Sequence, residues 1–141
     1  MSDMHGHCLC GTVQVHLSET HDSIEICQCS MCRRWSGGFY SALSAGDAVI
    51  KNEDHATVFR SSDWAERAFC STCGSHLWFR FLPTGHRSFS GGLFKDAEKL
   101  SISKEIFADE AAAWCRLPGD HPRLSGKQVT EDARAAGFTF D

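Results

Sequence analysis

The sequence predicts a mainly β chain of short, mostly antiparallel strands. Three observations lead there. Apolar and polar residues alternate over brief runs, turn residues separate those runs, and helical periodicity is thin throughout. In "TVQVHL" (12 to 17), Val13, Val15 and Leu17 fall on one face and Thr12, Gln14 and His16 on the other, the period of a half-buried strand. Similar runs follow at 23 to 27, 39 to 43, 48 to 50, 57 to 61, 67 to 70, 76 to 81, 87 to 94 and 99 to 107. Helix is expected only for about one turn after Cys29 and in "TEDARAAG" (130 to 137), with Thr130 as the cap and Gly137 as the stop.

A chain of 141 residues is expected to form a single domain, 1 to 141. A domain of that size buries roughly two-thirds of the surface of its unfolded chain. The net charge is −4 and no basic run exceeds Arg33–Arg34, which argues against a broad nucleic-acid footprint. The N-terminal "MSDMHGHCLCGTVQV" has no basic segment leading into an apolar run, and 18 consecutive apolar residues occur nowhere. The expectation is therefore a cytoplasmic protein with no membrane or nucleic-acid partner. Oligomeric state is not legible.

Eight cysteines are the outlying count. In a reducing compartment such density points to metal or catalysis before disulfides. The spacings are C-x-C (Cys8, Cys10), C-x-C-x-x-C (Cys27, Cys29, Cys32), C-x-x-C (Cys70, Cys73) and a lone Cys115. Tetrahedral zinc with Zn–S near 2.3 Å sets its sulfurs roughly 3.8 Å apart. Same-face residues of a strand lie about 6.6 Å apart, so a C-x-C pair meets one ion only if the chain tightens. Gly6 and Gly11 around the first pair, and Gly74 after the third, supply freedom for such bends.

Two two-cysteine turns make one complete four-thiolate site from Cys8, Cys10, Cys70 and Cys73, as in the halves of a zinc ribbon; reduced buried thiols or disulfides are the other readings. The trio Cys27, Cys29 and Cys32 would leave a tetrahedral zinc one position for water or substrate. Closure of that position by Cys115 or a histidine is the competing reading. Cys115, beside Trp114, reads as a buried thiol, and His7 and His76 adjoin the cysteine turns as possible outer partners of the ligands.

Three thiolates on Zn²⁺ leave the unit near −1, a weaker Lewis acid than zinc on three imidazoles and one suited to a soft fourth ligand. Arg33 and Arg34 follow Cys32 directly and would offset that charge or take a substrate carboxylate in bidentate fashion. Trp35 would stack on substrate or pack in the core. These three are the candidate substrate-binding residues.

The blocks "GHCLCGTVQV", "CQCSMCRRWSGG", "SSDWAERAFCSTCGSHLWFR" and "SISKEIFADEAAAWCRLPGDHPRLSG" resemble, in order, those of the glutathione-dependent formaldehyde-activating enzyme family, which includes centromere protein V. The resemblance runs from about Gly6 to Gly126. It implies an Mss4-like (β-tent) fold of short antiparallel sheets organised around zinc. It also implies two zinc ions per chain, a structural one on Cys8, Cys10, Cys70 and Cys73 and a catalytic one on Cys27, Cys29 and Cys32. The implied activity joins glutathione to formaldehyde as S-(hydroxymethyl)glutathione, a carbon–sulfur lyase reaction in reverse. Gln28 stands where the family very often has histidine.

The leading expectation is thus a zinc-dependent enzyme that adds a small thiol to a small aldehyde. Whether zinc activates the thiol or the aldehyde stays open, although ligand charge favours the thiol. The alternative is a non-catalytic zinc scaffold that docks a protein partner.

Overall fold

The computed structural model describes residues 2–140. Strands β1 (Met4–His7), β2 (Gln14–Thr20) and β3 (Ser23–Cys27) lead into helix α1 (Ser30–Ser36). β4 (Tyr40–Leu43), β5 (Ala45–Lys51), β6 (Ala56–Ser62), β7 (Ala65–Cys70), β8 (His76–Phe81) and β9 (His86–Ser90) follow. β10 (Ser101–Ile106), β11 (Arg123–Leu124) and helix α2 (Gly126–Ala135) complete the order. The chain is mainly β, as the alternation predicts, and is built of short strands, as the resemblance to an Mss4-like fold implies.

One sheet has the order β1-β2-β5 and the other β11-β10-β3-β4-β9-β8-β7-β6. Pairing is antiparallel except at one edge, where β10 runs parallel to β3 and β11 parallel to β10. Local alternation marks a strand but carries no information on the direction of its neighbour, so the mostly antiparallel expectation holds without locating this parallel edge. Val13, Val15 and Leu17 are fully buried, as their alternation required, and pack with Met4, Ile24, Leu43, Leu77, Trp78, Phe89 and Phe94.

β3 and β8 begin and end where the alternation places them. The run expected at 87 to 94 ends instead at Ser90 and continues as 3-10 turns. β1 was not expected, because its buried positions are Met4 and Gly6 and a glycine reads as a turn. Gly6 serves close approach rather than a bend at the cysteines. It forms an antiparallel bridge to Phe94, and a Cβ there would stand 2.6 Å from the Phe94 ring and 2.7 Å from the Leu93 carbonyl.

α1 is nearly two turns long because Cys29 caps it: the Cys29 Sγ accepts from the Cys32 amide, and Gly37 at φ 80 ends it. α2 starts at Gly126, with Ser125 rather than Thr130 as its cap, since the Ser125 hydroxyl accepts from the Gln128 amide at 3.1 Å. Gly137 follows its end at φ 98. No helix among the described residues is long and apolar enough to cross a membrane.

Gly6→Ala should lower stability by about 1–3 kcal/mol, since Phe94 is buried and the Leu93 carbonyl is backbone, so neither can yield cheaply. Urea unfolding checks this; an unchanged midpoint would mean that the two segments separate at no cost.

Candidate functional site

The cysteines gather into two groups, Cys8 with Cys10, Cys70 and Cys73, and Cys27 with Cys29 and Cys32, each with its sulfurs within 4.8 Å of one another. All eight cysteines are free thiols. Either group could hold a metal ion.

In the four-cysteine group two tight turns meet. The Gly11 amide bonds the Cys8 carbonyl at 3.0 Å and the Gly74 amide bonds the Cys70 carbonyl at 2.8 Å. Both glycines have positive φ, 81 and 77, so the two turns close alike. The Cys8 and Cys10 sulfurs are 3.6 Å apart and those of Cys10 and Cys70 3.8 Å, close to the tetrahedral edge of about 3.8 Å for zinc thiolates. The donors therefore fit zinc. Ser75 ties the turns together: its hydroxyl accepts from the Leu9 amide at 2.9 Å and lies 3.2 Å from the Cys73 sulfur. That serine contact holds the Cys73 thiol down to about 5. Cys8 and Cys70 are buried, Cys10 exposed and Cys73 half-buried. His7 Nδ1 donates to the Cys8 carbonyl at 2.7 Å.

The trio is built at the end of a strand and the start of a helix. Cys27 closes β3, Cys29 caps α1 and Cys32 lies in its first turn. Three thiols so close cannot share protons evenly. Hydrogen bonds from Cys27 and Cys32 hold the Cys29 thiol down to about 2, and the contact with Cys29 raises Cys27. A site that already concentrates negative charge on sulfur fits a cation such as Zn²⁺. Among the described residues, no fourth histidine, cysteine or carboxylate joins the three sulfurs. Cys115 stands outside both groups and is half-buried.

Gln28, between two of the trio, turns away from it and is buried. Its side-chain amide donates to Glu105 Oε1 at 3.2 Å and to the Cys115 carbonyl at 2.9 Å. Glu105, 2% exposed, also meets His121 Nε2 and, at 3.0 Å, Arg123 Nε. Burial pushes the Glu105 carboxyl up, but His121, Gln28 and Arg123 together outweigh it and hold the group below its ordinary value. This network fastens the trio's segment to β10 and to the chain before α2.

Arg33 Nη1 donates to the Glu110 carbonyl at 3.1 Å and Arg34 Nη1 to the Ser30 carbonyl at 3.3 Å. Neither side chain touches the three sulfurs by these bonds. Trp35 is half-buried in an aromatic group, its ring centroid 6.1 Å from Phe59, 5.8 Å from Phe69 and 5.2 Å from His76. The guanidinium that does reach the trio was not singled out in the sequence. Arg67, 3% exposed, directs Nη1 to the Cys32 sulfur at 3.5 Å. Its only sequence signal is a charge at an inward position of a strand, in "ERAFC". Burial and the nearby Arg67 charge hold the His76 ring below its ordinary value.

A small β framework that gathers four cysteines at one point and three at another defines a cysteine-cluster protein able to take up two metal ions. The family model described as glutathione-dependent formaldehyde-activating enzyme matches residues 3–110, which take in both groups. The chain belongs to that family. An uncharacterized lyase of Schizosaccharomyces pombe is 28% identical over 113 residues, 78% of this chain and 82% of the relative. A Halomonas elongata protein whose name carries the family's description is 33% identical over 85 residues, 53% of this chain and 54% of the relative. A crystal structure of a Rhodobacter sphaeroides protein superposes with a TM-score of 0.55 at 20% identity, covering 70% of this chain and 99% of its own, and so shares the fold.

Because the folded Glu105 pKa is depressed, its contribution to stability is complete above the ordinary value near 4.5 and is lost as pH falls through the lower folded value. Glu105→Gln should cost about 3 kcal/mol at neutral pH, the lower end for a broken buried pair because the partly exposed Arg123 can turn to water. The wild-type advantage should shrink on acidification. Denaturant unfolding of both proteins across pH checks this, and a constant difference would show that the carboxylate charge does not matter.

Proposed function

We propose that the protein is a zinc-dependent, glutathione-type carbon–sulfur lyase that adds a small thiol to a small aldehyde at Cys27, Cys29 and Cys32. The observation that carries the reading is the contrast between the two cysteine groups: one offers four sulfurs to an ion, and the other three, with no fourth protein ligand among the described residues. That is the difference between closed structural zinc sites and open catalytic ones. Membership of the family, and the lyase and formaldehyde-activating names of its relatives, supply the reaction type.

Zinc held by the trio would supply an exchangeable fourth position that favours a soft ligand and lowers the pKa of a thiol. In the condensing direction the thiol sulfur forms a bond to the aldehyde carbon, the carbonyl π pair moves to oxygen, and that oxygen takes up the proton the thiol has lost. The lyase direction breaks the same carbon–sulfur bond. The chain's own part is positional. The Cys29 cap fixes its sulfur to the Cys32 amide at 3.3 Å, and Gln28 holds the intervening backbone to Glu105. Arg33 and Arg34 lie on the helix that carries Cys32 and are our candidates for a substrate carboxylate, with Trp35 packed beside them. Glutathione is the thiol the family description names.

A docking role instead of catalysis would draw on exposed apolar side chains such as Trp114, Val58 and Phe59, the last exposed although its ring stacks on Trp35.

The two groups should fail differently when broken. Cys10 and Cys70 stand 60 residues apart, so zinc there closes a long loop, and its binding free energy, on the order of 10 kcal/mol, becomes folding free energy. Cys73→Ser should give unfolded or aggregated protein. Cys29→Ser should stay folded with about one zinc per chain and lose thiol-dependent consumption of aldehyde. Metal content, thermal unfolding and a formaldehyde–glutathione assay read the outcome. If Cys29→Ser retains activity, or unfolds as Cys73→Ser does, the trio is not the active site.

A further inference from the structure

β7 lies between the two cysteine groups. Successive side chains of a strand point to opposite faces. Cys70 goes to the four-cysteine group, while Arg67 and Phe69 go to the face on which α1 packs, where Phe69 meets Trp35 and Arg67 meets Cys32. β7 is an interior strand, with Arg67 paired to Phe59 on β6 and to Phe79 on β8. The guanidinium lies over the Phe79 ring at 5.1 Å, and its Nε donates to the Ser61 hydroxyl at 3.4 Å.

Arg67 makes no ion pair with a carboxylate among the described residues. A guanidinium stays charged in a protein, and burying a cation without a counter-charge is strongly unfavourable. The group its Nη1 faces is the Cys32 sulfur, which would be a thiolate with a metal held by the trio.

Charge then decides what the trio can accept. Three thiolates and a divalent ion sum to about −1, and a fourth thiolate would bring the unit to about −2 in a half-buried site. Arg67 offsets one of those charges at Cys32. A neutral fourth ligand such as water, imidazole or a carbonyl oxygen gains nothing comparable, because the attraction scales with the charge the ligand brings.

We propose that Arg67 is the counter-ion of the trio and a specificity-determining residue, which makes an anionic thiolate the preferred fourth ligand over a neutral donor. This rests on the trio being the metal site proposed above, and it assigns the metal position to the thiol and leaves the aldehyde to approach from outside it. Arg33 and Arg34, bonded to backbone carbonyls, do not supply this function.

Cobalt-substituted full-length protein tests the idea by absorption, with 2-mercaptoethanol as the anionic probe and imidazole as the neutral one. In the wild type the thiol should bind more tightly than imidazole. Arg67→Gln should weaken 2-mercaptoethanol binding at least about tenfold and leave imidazole within about twofold. Arg67→Lys, which keeps the charge, should recover most of the loss, and Arg67→Met provides a second uncharged variant of similar length. A wild-type preference for imidazole, equal losses for both probes in either uncharged variant, or no rescue by lysine would each overturn the assignment. If wild-type protein takes up cobalt only in the four-cysteine group, the underlying reading of the trio fails instead, a result distinguishable because it appears before any ligand is added.

Discussion

The meeting of two tight turns, Cys8–Cys10 and Cys70–Cys73, is the constraint on which the rest depends. It brings the sulfurs of Cys10 and Cys70 to 3.8 Å across 60 residues, and in doing so joins the small sheet of β1, β2 and β5 to the far end of the large one. Closing a loop of that length costs chain entropy, which contacts at the junction must offset. A shared metal ion would supply much of that offset, and Ser75 adds a hydrogen bond from one turn to the other. The Gly6–Phe94 bridge adds a second tie, between β1 and the chain that follows β9.

The trio inherits its position from this seam. β7 ends at Cys70, so fixing that sulfur also fixes the register that carries Arg67 to Cys32. From the other side β3 delivers Cys27, and Gln28 reaches into the Glu105, His121 and Arg123 network at the parallel edge of the sheet. The local geometry of the trio is made by one strand end and one helix cap; its electrostatics are made by residues distant in sequence. That division separates what holds the sulfurs together from what sets their charge.

Much of this was legible in the sequence where the physics is local. Val13, Val15 and Leu17 announced a buried face, and the cysteine spacings separated a group of four from a group of three. The resemblance to the formaldehyde-activating family was carried by those same spacings, and the family match agrees with it. What escaped was non-local. Arg67 is one charge in an apolar strand, and nothing near it in the chain says that Cys32 waits 35 residues away. The parallel pairing of β10 with β3 is likewise invisible to alternation, and with it the burial of Glu105. At α2 the sequence reading took Thr130 as the cap, whereas Ser125 forms it, so the helix starts earlier in the chain.

The central claim is that one metal position is closed by protein and the other is open. X-ray absorption at the zinc edge, on protein purified without chelator and without added thiol, tests it most directly. Four sulfurs at one site and three at the other predict a mean of about 3.5 sulfurs and about half an oxygen or nitrogen per zinc, with two zinc ions per chain. Four sulfurs around every zinc, or a single zinc per chain bound by four sulfurs, would contradict the account.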